Sequence, residues 1–162
     1  IPDIDQPLDT GTEVKLHVPA LIPEDYLPDV HNRLMLYKRI ASVDSPEALK
    51  ELQVEMIDRF GLLPDPAKNL IRQTELRLRA EALGIVKVDA GKEWARLEFG
   101  SSTPVDPLVL VKKVQSAPDR YRLQGANSFR FRLNDDSTDG KLDAIAAMLD
   151  ELAPDKAPAK AS

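Results

Sequence analysis

From Leu27 to Gly84 apolar residues recur every three or four positions, and from Ile85 to Leu133 they recur mostly every second position. A side chain returns to the same face of a helix after about 3.6 residues and to the same face of a strand after two, so this change of period demands helices first and a sheet afterwards. One strand precedes the helices: Val14, Leu16 and Val18 alternate with Glu13, Lys15 and His17 until Pro19 and Pro23 end the run. The first predicted helix has Pro28 in its opening turn and Leu27, Val30, Leu34, Tyr37 and Ala41 as its apolar face. The second starts with Ser45 as cap and Pro46 at the first helical position, buries Leu49, Leu52, Met56 and Phe60, and stops at Gly61. Asp65-Pro66 opens a third, with Leu70, Ile71, Thr74 and Leu78 inward and Gly84 at its end.

Strands follow at Ile85–Val88, Ala95–Phe99, Arg120–Leu123 and Phe129–Leu133, with a short helix from Asp106-Pro107 and a last helix capped by Thr138. Short turns between strands favour antiparallel pairing. The expected fold is α+β: a mostly antiparallel sheet of about five strands with helices packed on it, and three consecutive helices in the N-terminal half. Residues 1–12, polar and Pro/Asp-rich, read as a linker, residues 13–152 as one domain and residues 153–162 as a disordered tail. Such flanks suggest the C-terminal part of a longer polypeptide.

At 162 residues with 43% apolar and 30% charged side chains, the chain can bury one core. It has no cysteine, which excludes disulfides and thiolate metal sites, and no signal-peptide pattern, so the cytoplasm is the expected compartment. The net charge of −5 opposes general affinity for nucleic acid. Gly91-Lys92-Glu93 and Gly140-Lys141-Leu142 lack the second glycine and the hydroxyl of a phosphate loop. His17 and His31 have no thiolate to share a zinc ion with and read as surface residues. Asp135, Ser137, Asp139 and Gly140 imitate the start of a calcium loop, yet the position that needs a bidentate Glu is Ala146. No nucleophile motif is present. These residues point to docking rather than catalysis, with no catalytic, metal or cofactor-binding residue expected.

Two surfaces are candidates. Glu51, Glu55 and Asp58 fall on one face of the second helix with Arg59 beside them, a face suited to a basic partner or simply a solvated helix side. Arg120, Arg122, Arg130 and Arg132 share the side of the last hairpin opposite Tyr121, Leu123, Phe129, Phe131 and Leu133. Four arginines there form a possible basic patch for phosphates or an acidic protein, or a charge that keeps an edge hairpin soluble.

Two longer stretches carry a family resemblance. Ile22-Pro-Glu-Asp-Tyr-Leu-Pro-Asp-Val-His-Asn-Arg-Leu-Met-Leu-Tyr-Lys-Arg-Ile-Ala41 and Glu55-Met-Ile-Asp-Arg-Phe-Gly-Leu-Leu-Pro64 resemble the C-terminal domain of bacterial transcription-repair coupling factors (Mfd), supported by Ala82-Leu-Gly-Ile85 and Tyr121-Arg-Leu123. The resemblance runs from about Glu13 to Leu152. It implies a parent protein that is an ATP-driven translocase on double-stranded DNA, with ATP and magnesium in a motor upstream of Ile1 and no cofactor in this fragment. It further implies contacts of the parent with RNA polymerase and UvrA. The C-terminal domain itself would pack on an N-terminal UvrB-like module and mask its UvrA-binding surface. On that resemblance Glu55, Asp58 and Arg59, with Glu51 on the same face, become the expected intramolecular interface. The rival expectation is a nucleic-acid-binding accessory module that uses the basic 120–132 hairpin.

Overall fold

The computed structural model describes residues 11–154; the outer parts of the expected linker and tail, residues 1–10 and 155–162, lie outside them. Among the described residues are five helices and a five-stranded sheet, three of the helices consecutive, as the change of period demands. The chain divides into two compact units, Val18–Leu78 and Gly11–His17 with the chain from Arg79 onward.

The first unit holds α1 (Val30–Ser42), α2 (Pro46–Phe60) and α3 (Asp65–Ala82) as far as Leu78. Its core joins Ile22 and Leu27, which precede α1, to Leu36, Ile40, Leu49, Leu52, Met56 and Ile71. The caps of α2 form as read: Ser45 Oγ accepts from the Ala48 N–H at 3.1 Å, and Gly61 takes φ 103°. Tyr26 reinforces the exit, with its ring edge-on to Phe60 and its hydroxyl 2.9 Å from the Gly61 carbonyl.

The entry to α1 differs from the sequence reading. Asp29, not Pro28, bounds the helix, its carboxylate accepting from the His31 N–H at 3.3 Å. Leu27 therefore packs from the turn before the helix, and the buried stripe is Leu36 and Ile40 with Tyr37 partly covered. Val30 and Leu34, expected to be inward, are both 58% exposed. Leu36 and Ile40, four apart and beside Tyr37, form a second apolar stripe next to that of Val30 and Leu34, and it is this stripe that the core takes up.

The second unit is built on the sheet, ordered β1-β2-β3-β5-β4. Its strands are β1 (Glu13–Lys15), β2 (Ile85–Ala90), β3 (Trp94–Phe99), β4 (Tyr121–Gln124) and β5 (Ser128–Arg132). Only β1 with β2 is parallel; the other pairs are antiparallel. Alternation is clean on β3, where Ala95, Leu97 and Phe99 are buried and Trp94, Arg96 and Glu98 half-buried on the opposite face. The remaining helices are α4 (Pro107–Ser116), capped by Asp106, and α5 (Thr138–Leu152), which buries Leu142, Ile145 and Leu149. The cap of α5 is Ser137, one residue before the expected Thr138, because its hydroxyl accepts from the Gly140 N–H at 3.0 Å. Gly84, at φ 69°, makes the turn from α3 to β2 where any Cβ would stand 2.5 Å from the backbone of Thr103. That position requires glycine twice over, for conformation and for space.

Candidate docking surfaces

On α2 the four residues singled out from sequence lie together, but Glu55 is already engaged. Arg39 of α1 grips it through two parallel bonds, Nη1 to Oε2 at 2.7 Å and Nη2 to Oε1 at 2.8 Å. Arg59, one turn later on α2, adds a weaker contact at 3.4 Å. The Arg39 hydrogen bonds are the largest cause that holds the Glu55 carboxyl down at about 2, against an ordinary 4.5, with Arg59 contributing less. This fork geometry fixes the carboxylate in place. Glu51 and Asp58 are exposed and form no ion pair among the described residues. Between them, one turn from each, Val54 is 62% exposed. The face is thus an exposed apolar side chain with carboxylates that form no ion pair beside it and a neutralised Glu55–Arg pair along one side.

Two participants escaped the sequence reading. Arg39 belongs to another helix, and nothing in linear spacing joins it to Glu55. Val54 was legible as an apolar residue three after Glu51 on a face otherwise charged.

The Glu55 shift has a signed consequence. A carboxyl whose folded pKa is depressed contributes stability that is fully present above its unfolded value and is lost as pH falls through the folded one. The Glu55 contribution should therefore be complete above about pH 4.5 and disappear toward pH 2. Carboxyl-carbon NMR should place the Glu55 midpoint near 2 in the native chain. Arg39→Ala should return it most of the way to the ordinary carboxylate range, and Arg59→Ala should move it less.

The hairpin of β4 and β5 carries the second surface, with Tyr121 and Leu123 opposite Phe131 and Phe129 on the inner side. Arg122 is exposed, and Arg130 and Arg132 are half-buried on the outer side; Arg120 precedes β4 in a turn. All three strand arginines converge on Trp94 of β3, their guanidinium carbons 5.7, 4.5 and 4.5 Å from the ring centroid for Arg122, Arg130 and Arg132. Glu98, on the same face of β3, stands 3.8 Å from Arg96, two residues away on the same strand.

Elsewhere the polar residues have local duties. Asp135 accepts from the Ser137 N–H at 2.8 Å, which lowers its pKa and orders the entry to α5. His17 stands 3.9 Å from Asp89. A cavity of about 540 Å³ is lined chiefly by Ala82, Leu83, Pro104 and Leu149, and its charged pair, Arg79 and Asp150, is bonded to itself. Among the described residues no group of three His, Cys, Asp or Glu is placed to hold a metal ion, and no helix is long and apolar enough to cross a membrane.

Fold and surfaces together define a small α+β domain whose most developed surface features are two charged faces. The same architecture occurs in a solved crystal structure of the C-terminal domain of a transcription-repair coupling factor, with a TM-score of 0.68 at 20% identity, covering 88% of this chain and 94% of that one. Residues 16–110, more than half of the chain, match the TRCF domain family, and the chain belongs to that family. It is 44% identical over 141 residues to the transcription-repair-coupling factor of Haemophilus influenzae and 42% identical over 130 residues to that of Escherichia coli. These alignments cover 87% and 80% of this chain but only 12% and 11% of the two relatives. The family resemblance read from Ile22–Ala41 and Glu55–Pro64 is borne out.

Proposed function

We propose that this chain is a non-catalytic docking domain that holds a transcription-coupled repair motor in check. In this reading the full-length protein is an ATP-dependent translocase on double-stranded DNA that displaces stalled RNA polymerase and recruits UvrA in the cytoplasm. Its ATP and magnesium are held outside this chain. The domain packs on the N-terminal UvrB-like module of the same polypeptide and masks the UvrA-binding surface until the motor engages.

The observation that carries the reading is the α2 face, where Glu51 and Asp58 have no ion pair, Val54 is exposed between them and Glu55 is held in place by Arg39. A clamp that must open on demand needs a modest, largely polar interface; an extensive apolar one would not release. Carboxylates without ion pairs around a single apolar contact meet that need, and a pre-oriented Glu55 loses little freedom on docking. The α2 face also lies within the segment that matches the family.

Changing Glu55, Asp58 and Arg59 together to alanine in the full-length protein should raise both UvrA binding and basal ATPase severalfold, with the unfolding profile showing an intact domain. If neither rises, this face is not the lock.

A further inference from the structure

The outer face of the sheet carries a second, separate arrangement. Register places Arg96, Arg130 and Arg122 directly opposite one another across β3, β5 and β4. Like charges in opposed positions weaken a sheet unless something compensates them. Arg96 is relieved by Asp89 at 4.0 Å and Glu98 at 3.8 Å. Arg132 reaches Glu93 at 3.5 Å, and Arg120 donates to the neutral Asn134 Oδ1 at 2.9 Å. Among the described residues Arg122 and Arg130 form no ion pair; Trp94 is what they touch. A guanidinium stacked on a ring uses its flat face and leaves its N–H edges available for a fork-like bond to an oxyanion.

We infer that this arginine row binds an acidic polypeptide segment, with Arg122 and Arg130 each taking one carboxylate. Opposed strand positions stand about 5 Å apart, a separation that acidic side chains three or four apart on a helix, or two apart on an extended segment, can match. A nucleic acid fits less well. The hairpin aromatics Tyr121, Phe129 and Phe131 are on the inner side, and the Trp94 ring is already taken by guanidiniums, so no free ring is offered for bases to stack on. Asp89, Glu93 and Glu98 border the row and would repel a continuous run of phosphates, whereas a segment with two or three discrete carboxylates avoids them. The chain's net charge of −5 opposes approach of a polyanion as long as DNA.

Trp94 is the only tryptophan of the chain, so its fluorescence reports the site directly. The probe is a fluorescein-labelled decapeptide of alternating Glu and Ser, set against its Gln/Ser analogue and a labelled duplex of about twenty base pairs, read by anisotropy together with Trp94 emission. The Glu peptide should bind, should change Trp94 emission and should weaken as salt rises from about 50 to 300 mM. The Gln analogue and the duplex should bind at least tenfold more weakly. Arg122→Gln with Arg130→Gln should weaken the Glu peptide at least tenfold with an unfolding midpoint within a few degrees of the parent, since the stacking lost on Trp94 is offset by relief of the opposed charges. Lys50→Gln, exposed on α2, should leave binding unchanged. Duplex binding as tight as the peptide, peptide binding indifferent to the double variant, or a double variant that unfolds more than about 10 °C below the parent would each overturn the inference.

Discussion

Phe129→Ala should lower the stability of the sheet-bearing unit by about 3–5 kcal/mol, the range for deleting a buried aromatic ring. Phe129 is fully buried, at 0% exposure, and is the largest such side chain among the described residues. It sits on β5 opposite Leu97 of β3 on one side and Leu123 of β4 on the other. Its ring stacks on Tyr121 at 5.8 Å and meets Phe131 at 6.3 Å. Because β5 is hydrogen-bonded along both edges, the backbone cannot move in to fill the space, and most of the cavity persists. A loss of that size consumes much of the total stability of a small unit. Melts followed by far-UV circular dichroism and by Trp94 emission should both shift down by about 10 °C or more. The neighbouring Arg130→Gln, one residue away on the opposite face, should leave the midpoint within a few degrees or raise it. Comparable losses at both positions would contradict the alternation on which the two faces depend.

That alternation was legible in the sequence, and so was most of the architecture. Ser45-Pro46, Gly61 and Asp106-Pro107 gave correct helix boundaries because each acts through its own backbone neighbours, within a turn of chain. Phe129 and Phe131, the inward residues of β5, followed from period two alone, whereas Leu123, on the edge strand β4, is 44% exposed. What period could not supply was the choice between overlapping apolar stripes. On α1 Val30 and Leu34 form one stripe with Tyr37, Leu36 and Ile40 another, and only the second is buried. Nor could linear spacing supply contacts between elements. Arg39 with Glu55 joins residues on different helices, and Trp94 collects three arginines from the strand beside it and the next. Each candidate surface was therefore half visible: its charges could be read, but the residue that organises them could not.

The Arg39–Glu55 pair allows the internal bracing of the α2 face and its proposed docking to be separated by exchanging the charges. Glu55→Arg alone crowds a third guanidinium against those of Arg39 and Arg59, and should both lower the unfolding midpoint and release the docking partner. Arg39→Glu with Glu55→Arg restores an opposite pair between the same two helices, so the midpoint should recover most of its loss; only the i,i+4 attraction to Arg59, now a repulsion, stays missing. Docking should not recover. A basic partner that meets Glu51, Glu55 and Asp58 in the parent meets a guanidinium at the centre of the row in the exchanged protein, and a like charge placed at an interface weakens it strongly. Binding of this chain to the N-terminal module should stay at least tenfold below the parent, a loss of about 1.4 kcal/mol or more in docking free energy. In the full-length protein UvrA binding should rise correspondingly. If the exchange restores docking together with stability, Glu55 serves only to brace α1 against α2, and the contact must be made by Glu51, Val54 and Asp58 without it. Raised salt separates the cases further, because an interface built on exposed carboxylates weakens with ionic strength while the two-bond fork between Arg39 and Glu55, fixed by its geometry, is less affected.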